Sequence, residues 1–262
     1  MSDMQKNRRT YHWLVVAFLM GPMTAVAGVA EDLVTLHLDA IGGESRVQSL
    51  QSVCRKGYNL FEERRIPLLV CSAESDLIRI EMDLGKAGKL IQGYDGETAW
   101  KVRIRGDELI EETFLPQEAE QLIHDAIFRD SLLDLRTPEN TLEYMGEEVR
   151  GENRFYLIAV VEPDGHRSDL EMDAETYQVV RQFSTQYLRG RKVSSVMTYS
   201  DFRPVAGVWL PHRIQTVLDE RLTFMTVYES MEGNPSFRKG WFQCPKKMAE
   251  SEGPRTLDEE KS

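Results

Sequence analysis

The chain is poor in the residues that build reactive centres. It has five histidines and three cysteines in 262 residues. The four histidines beyond the N-terminal segment, His37, His124, His166 and His212, stand on separate segments. None is spaced as a metal-binding pair, and none accompanies a nucleophile elbow or a glycine-rich phosphate loop. These absences remove the motif-bearing metal and nucleotide chemistries, so no catalytic residue, metal or cofactor is assigned. A hydrolase whose groups converge only in space stays open. Adjacent acids such as Glu62-Glu63 and Glu147-Glu148 point apart on extended backbone and read as solvated. Basic charge is also scarce: 32 Lys and Arg stand against 43 Asp and Glu, a net charge of −11 and a pI near 5.1. Such a body is repelled by phosphate backbones and anionic bilayers, which argues against a nucleic-acid partner.

An unbroken apolar run of membrane-spanning length is missing too. Lys6, Arg8 and Arg9 precede a short apolar stretch from Trp13 to Met20, which Gly21-Pro22 interrupts. Ala25-Val26-Ala27 follows as a small-residue cleavage site, with Gly28-Val29-Ala30 the nearby alternative. We expect a signal peptide over residues 1–27 and export to the periplasm. The other reading is an uncleaved inner-membrane anchor from Tyr11 to Ala30. Arg8-Arg9 fits a twin-arginine signal only loosely, so the secretion route stays open. No cysteine adjoins the run, which leaves no site for an N-terminal lipid.

What is present is enough apolar material for a core, 41% of residues with 29% charged, in a pattern that is mostly β. Glu31 to Ile41 has near-helical apolar spacing (Leu33, Leu36, Leu38, Ala40, Ile41) and stops at Gly42-Gly43. Asp76 to Leu84 alternates, with Ile78, Ile80 and Met82 on a buried face and Arg79, Glu81 and Asp83 on a wet one. Leu90–Tyr94 and Ala99–Ile104 flank Asp95-Gly96, a strong hairpin signal, and Glu108–Phe114 extends the meander. From Gln117 to Asp130 the period turns helical behind Pro116, giving a stripe that includes Leu122, Ile123 and Ile127. Strand signals resume at Leu142 and continue to Glu229, with apolar positions at Leu170, Met172, Phe183, Met197 and Phe224. A single helical insertion among so many strands requires an antiparallel sheet, curved or closed to manage its edges. The fold class is α+β, mainly β. After Pro245 hydrophobicity collapses, and residues 246–262 read as a disordered tail.

Cys54 and Cys71 lie almost equally far from a hairpin turn near Glu63-Arg64. Two readings stand: a cross-strand disulfide that leaves Cys244 alone, or three buried thiols.

The helix end at Ile41-Gly42-Gly43, the segment Gly93-Tyr94-Asp95-Gly96-Glu97-Thr98-Ala99-Trp100, and Tyr199 to His212 with its Ala206-Gly207 turn give the chain a further likeness. In this order around a central helix, it resembles the outer-membrane lipoprotein-sorting family, the LolA-like proteins, from about residue 31 to 245. The resemblance implies a half-open β-barrel with helices over its concave face, an acyl-chain cavity and a periplasmic life. Its ligand would be a lipid or acylated lipoprotein, exchanged with a membrane donor or acceptor protein. Ile78, Ile80, Met82, Leu122, Ile123, Ile127, Leu170, Met172, Phe183, Met197 and Phe224 are then the candidate cavity residues, and ordinary core is the competing reading for each. Arg79 resembles the family's functional arginine, although the family's flanking proline and aromatic are not both present. It is either a head-group contact or a solvated outer-face residue paired across strands. We expect a monomeric carrier without catalysis. An envelope sensor or protein-interaction module on the same fold is the alternative.

Overall fold

The computed structural model describes residues 24–124, 140–163, 165–188 and 190–245. The expected signal segment up to residue 23, the tail from 246, Ile127 and the loop at Thr137-Pro138 lie outside the described residues. Two helices come first, α1 (Thr24–Ala40) and α2 (Glu44–Ser49). Helix α1 therefore begins ahead of the anticipated Glu31, and its buried stripe is Ala30, Leu33, Val34 and Leu38, while Leu36 faces out.

Six strands follow: β1 (Ser52–Phe61), β2 (Arg64–Ala73), β3 (Leu77–Asp83), β4 (Lys89–Tyr94), β5 (Ala99–Arg105) and β6 (Glu108–Glu112). Helix α3 (Pro116–His124) leads to the second block: β7 (Thr141–Arg150), β8 (Asn153–Val161), β9 (Arg167–Asp173), β10 (Val179–Leu188), β11 (Arg191–Val205), β12 (Val208–Leu218) and β13 (Leu222–Gly233). All described strands join one antiparallel sheet in the order β6-β5-β4-β3-β2-β1-β13-β12-β11-β10-β9-β8-β7.

Each block is a meander of hairpins, which needs only local pairing. The seam between the blocks pairs β1 with β13, the first and last strands of the chain. One consequence is that β6 and β7, consecutive along the chain, form opposite edges of the sheet. The connection carrying α3 must therefore travel across the whole sheet. Its described part, helix α3, lies against one face, touching β3, β4 and β5 on one limb and β10 on the other. A single short helix can bridge strands so far apart in the sheet order only if the sheet curves around it, so this face is the concave one.

Parity along the seam is broken once. Lys56 pairs with Ser230 but Gly57 with Tyr228, so Glu229 is an extra residue on β13. This bulge turns Tyr228 and Met231, three apart, onto the same face, where both join one apolar cluster. Gly57 makes the close approach possible: a Cβ there would stand 1.8 Å from the Val227 carbonyl oxygen.

Candidate ligand-binding face

Two apolar clusters occupy the concave face. Under α1 and α2, Leu33, Val34, Leu38, Ile41 and Leu50 pack on Val53, Ile158, Leu170, Met172 and Val208. Under α3, Leu122 packs with Leu68, Val70, Ile78 and Tyr228, and Ile80, Met82, Phe114 and Met231 border them. Both sets share one side of the sheet because successive partners align through the ladder, as in Ile78 opposite Ser72 and Val53 opposite Gly233.

The candidate residues divide accordingly. Ile78, Leu170 and Met172 are fully packed core beneath helices, Leu122 is packed core on α3 itself, and Ile80 and Met82 are half-buried beside them. Ile123 is half-buried on α3. Met197 and Phe224 reach the same face through Thr216, which is opposite both, and they remain half-buried. Phe183 does not join them. Its partners Asp169 and Val196 place it on the convex face, where Arg181 stands 5.0 Å from its ring. Alternation within β10 cannot reveal this, because the register shift between Val179 and Arg181 resets its parity.

Half-buried apolar side chains also include Ile66 and Ile214, so the face between the two packed clusters remains apolar. Its polar groups are tied to one another. Tyr199 donates to Gln182 Oε1 at 2.7 Å, Gln182 donates to Ser168 at 3.1 Å, and Thr226 donates to Asn59 at 2.8 Å. Lys101 meets Glu118 of α3 at 3.7 Å, and Arg103 meets Glu112 at 2.5 Å. His212 is spent on the Leu210 carbonyl at 3.0 Å and His37 on that of Tyr177 at 2.7 Å, so each donates from Nδ1 to the main chain. A separate cleft of about 230 Å³ is lined mostly by polar groups, those of Glu152, Asn153, Arg154, Asp173 and Glu175 beside Tyr156 and Ala174, which suits an alkyl chain poorly.

Arg79 stands on the outer face beside a carboxylate, as the second of its sequence readings has it, but differs from that reading in burial and in partner. It lies on the convex face opposite Cys71 and Gly93, away from the two concave-face clusters and 5.6 Å from the ring of Trp100, which packs there with Ile91 and Val102. It is also neither solvated nor paired across strands, being 7% exposed. The segment after β13 folds back over this part of the convex face. Arg79 donates to the Trp241 carbonyl at 3.1 Å and to Glu81, two residues along its own strand, at 2.7 Å, with its guanidinium 4.9 Å from the Trp241 ring. Trp100 donates its indole N–H to the Phe242 carbonyl at 2.9 Å. Gly93 leaves room for that indole, since a Cβ there would stand 2.6 Å from Trp100 Cζ2. Burial pushes the Glu81 carboxyl up, but hydrogen bonds from Lys89 and Arg79 outweigh it and hold the group below the usual carboxylate range. Arg79 thus clamps the segment after β13 to the sheet.

Cys54 and Cys71 face each other across β1 and β2, with Cα atoms 4.1 Å apart, and form a disulfide. Cys244 is the free cysteine. Burial and the nearby carboxylates of Glu111 and Asp95 raise its thiol, which keeps it protonated. Among the described residues no helix is long and apolar enough to cross a membrane, and no group of three metal-ligating side chains gathers.

No protein-family model matches the sequence, and no curated protein matches it either. Solved structures do. A DUF1329 family protein from Desulfovibrio piger superposes with a TM-score of 0.56 at 12% identity, over 82% of this chain and 97% of that one. An outer membrane lipoprotein-sorting protein domain from Vibrio parahaemolyticus gives 0.53 at 8% identity, again over 82% and 97%. A LolA superfamily protein from Nitrosomonas europaea gives 0.50 at 11% identity with the same coverage. At such low identities the likeness speaks of architecture, and the architecture of this chain is the LolA-like fold.

Proposed function

We propose that this chain is an exported carrier that holds the acyl chains of a lipid or lipoprotein against its concave face and performs no chemistry on them. The observation that carries the reading is the unclosed curved sheet with an apolar concave side, bridged by α3 and left half-buried at Met197, Phe224 and Ile66. Each methylene withdrawn from water there contributes about 0.8 kcal/mol, so a single chain suffices for useful affinity. Methionines at the rim, Met82, Met197 and Met231, can repack around chains of different shape. The architecture shared with a lipoprotein-sorting domain supports the same reading.

Residues 1–27 act in this scheme as the export signal. Cleavage after Ala27 leaves Ala30, which is fully buried, in place at the start of the folded body. The domain expected over 31–245 is then extended at its start by Ala30, and the tail follows it.

Native mass spectrometry of protein purified from the envelope without detergent tests this. A carrier retains about one equivalent of an acyl lipid. Protein recovered as bare polypeptide, and unable to take up lipid from vesicles, would overturn the reading in favour of a protein-interaction module.

A further inference from the structure

The concave face carries a cation that has no carboxylate partner among the described residues and only the face of a tyrosine ring beside it. Arg55 lies on β1 between apolar partners, opposite Val70 on one side and Met231 on the other. Val53, two residues earlier on the same face, is fully buried in the cluster under α1. Tyr228, brought alongside by the bulge at Gly57, belongs to the cluster under α3, and the Arg55 guanidinium stands 6.0 Å from its ring centroid. Arg55 is thus half-buried at the junction of the two apolar clusters. Lys101 and Arg103 on this face each have a carboxylate; Arg55 has none within ion-pair distance among the described residues. Diagonal to it on β2, the hydroxyl of Ser72 is buried without a hydrogen-bond partner among them.

A guanidinium held beside apolar side chains is a fork of donors in a medium that strengthens any anionic partner. Retaining one at the floor of a greasy face is unfavourable unless something completes it. We propose that Arg55 is the polar anchor of the ligand site and selects acyl chains that end in an anionic oxygen group, a carboxylate or a phosphate monoester. The chain would lie along the apolar face toward Met197 and Phe224, and the head group would meet Arg55. This deepens the carrier reading and rests on it.

The probes are a fluorescent polyene fatty acid and its methyl ester, titrated into the full-length mature protein. Lysophosphatidate is used as competitor in one arm and inorganic phosphate in another. A charge-assisted hydrogen bond corresponds to a preference of roughly ten- to a hundredfold for the acid over the ester. Arg55→Met, which keeps the apolar stem, should abolish that preference, bringing the acid-to-ester ratio to about one. Arg55→Lys should restore part of it. Thermal melts of the variants check that they remain folded. Displacement by lysophosphatidate supports a phosphate head group, and displacement by free fatty acid alone a carboxylate. Equal binding of acid and ester to the wild type, or a preference that survives Arg55→Met, overturns the anchor while leaving the carrier intact. Displacement by inorganic phosphate alone overturns the acyl part of the assignment. If neither probe binds, the carrier reading fails and the anchor with it.

Discussion

At the scale of single residues, the convex-face trio of Arg79, Glu81 and Lys89 makes the sharpest separation between stability and binding. Removing Arg79 leaves Glu81, itself 8% exposed, with only the half-exposed Lys89 as a partner. Breaking a buried pair in this way costs on the order of 2–3 kcal/mol. Arg79→Ala should therefore lower the urea midpoint clearly without changing lipid affinity per folded molecule; a selective loss of affinity would return Arg79 to the ligand site. The pH dependence has a defined sign. Because the folded Glu81 carboxyl sits below its ordinary value of about 4.3, its contribution is complete above that value and is lost as pH falls through the lower folded one. Glu81→Gln should be less stable at neutral pH and should lose part of the wild-type decline in acid. Alternation along Asp76 to Leu84 made the two faces of this strand legible. It could not reveal that a segment more than 150 positions later covers the charged face. Charge was read as wetness, and the covering aromatics Trp241 and Phe242 sit in a stretch without strand or helix periodicity.

At the scale of elements, the segment from Pro235 to Pro245 behaves as a strap rather than as the start of the tail. It supplies the carbonyls of Trp241 and Phe242 to Arg79 and Trp100, and Phe237 packs edge-on to Phe242 with centroids 4.8 Å apart. Truncation after Pro245 should leave the melting temperature within a degree or so of the full chain. Truncation after Asn234 should lower it by about 5–10 °C, as expected if roughly 2–3 kcal/mol of burial and hydrogen bonding is lost. It should also red-shift Trp100 fluorescence. Equal effects of the two truncations would show that the strap adds nothing. The strands themselves were largely legible because each is a local meander with its own turn chemistry, as at Asp95-Gly96 and Ala206-Gly207. Parity was legible only as far as the first irregularity. The shifts at Gly57 and at Val179/Arg181 reverse which face a residue occupies, which put Phe183 on the wrong side, while Met231 lies beyond Glu229, where the strand signal was read to end.

At the scale of the molecule, everything depends on the β1–β13 seam. Two local meanders joined at their outer ends place β6 and β7 at opposite edges, so the connection between them has to cross a face, and the contacts of α3 put that helix on the concave one. The sequence showed an insertion between two β blocks; the pairing that determines where it must go is separated by nearly the whole chain and leaves no local signature. The same seam brings Arg55 and Tyr228 together, which no spacing could have suggested. Edge strand β7 carries Glu143, Glu147, Glu148 and Arg150 with a bulge at Gly146, the usual defence of an open sheet edge against further pairing.

The central claim is that acyl chains occupy the concave face, and photo-crosslinking tests it most directly. A fatty acid with a photoreactive group at its chain end is bound, irradiated and mapped by peptide sequencing. The account predicts labelling on β11 and β13, at and around Met197 and Phe224, suppressed by excess unlabelled lipid. Labelling confined to the convex face, around Phe183 or Trp241, or labelling that excess lipid does not suppress, would contradict it.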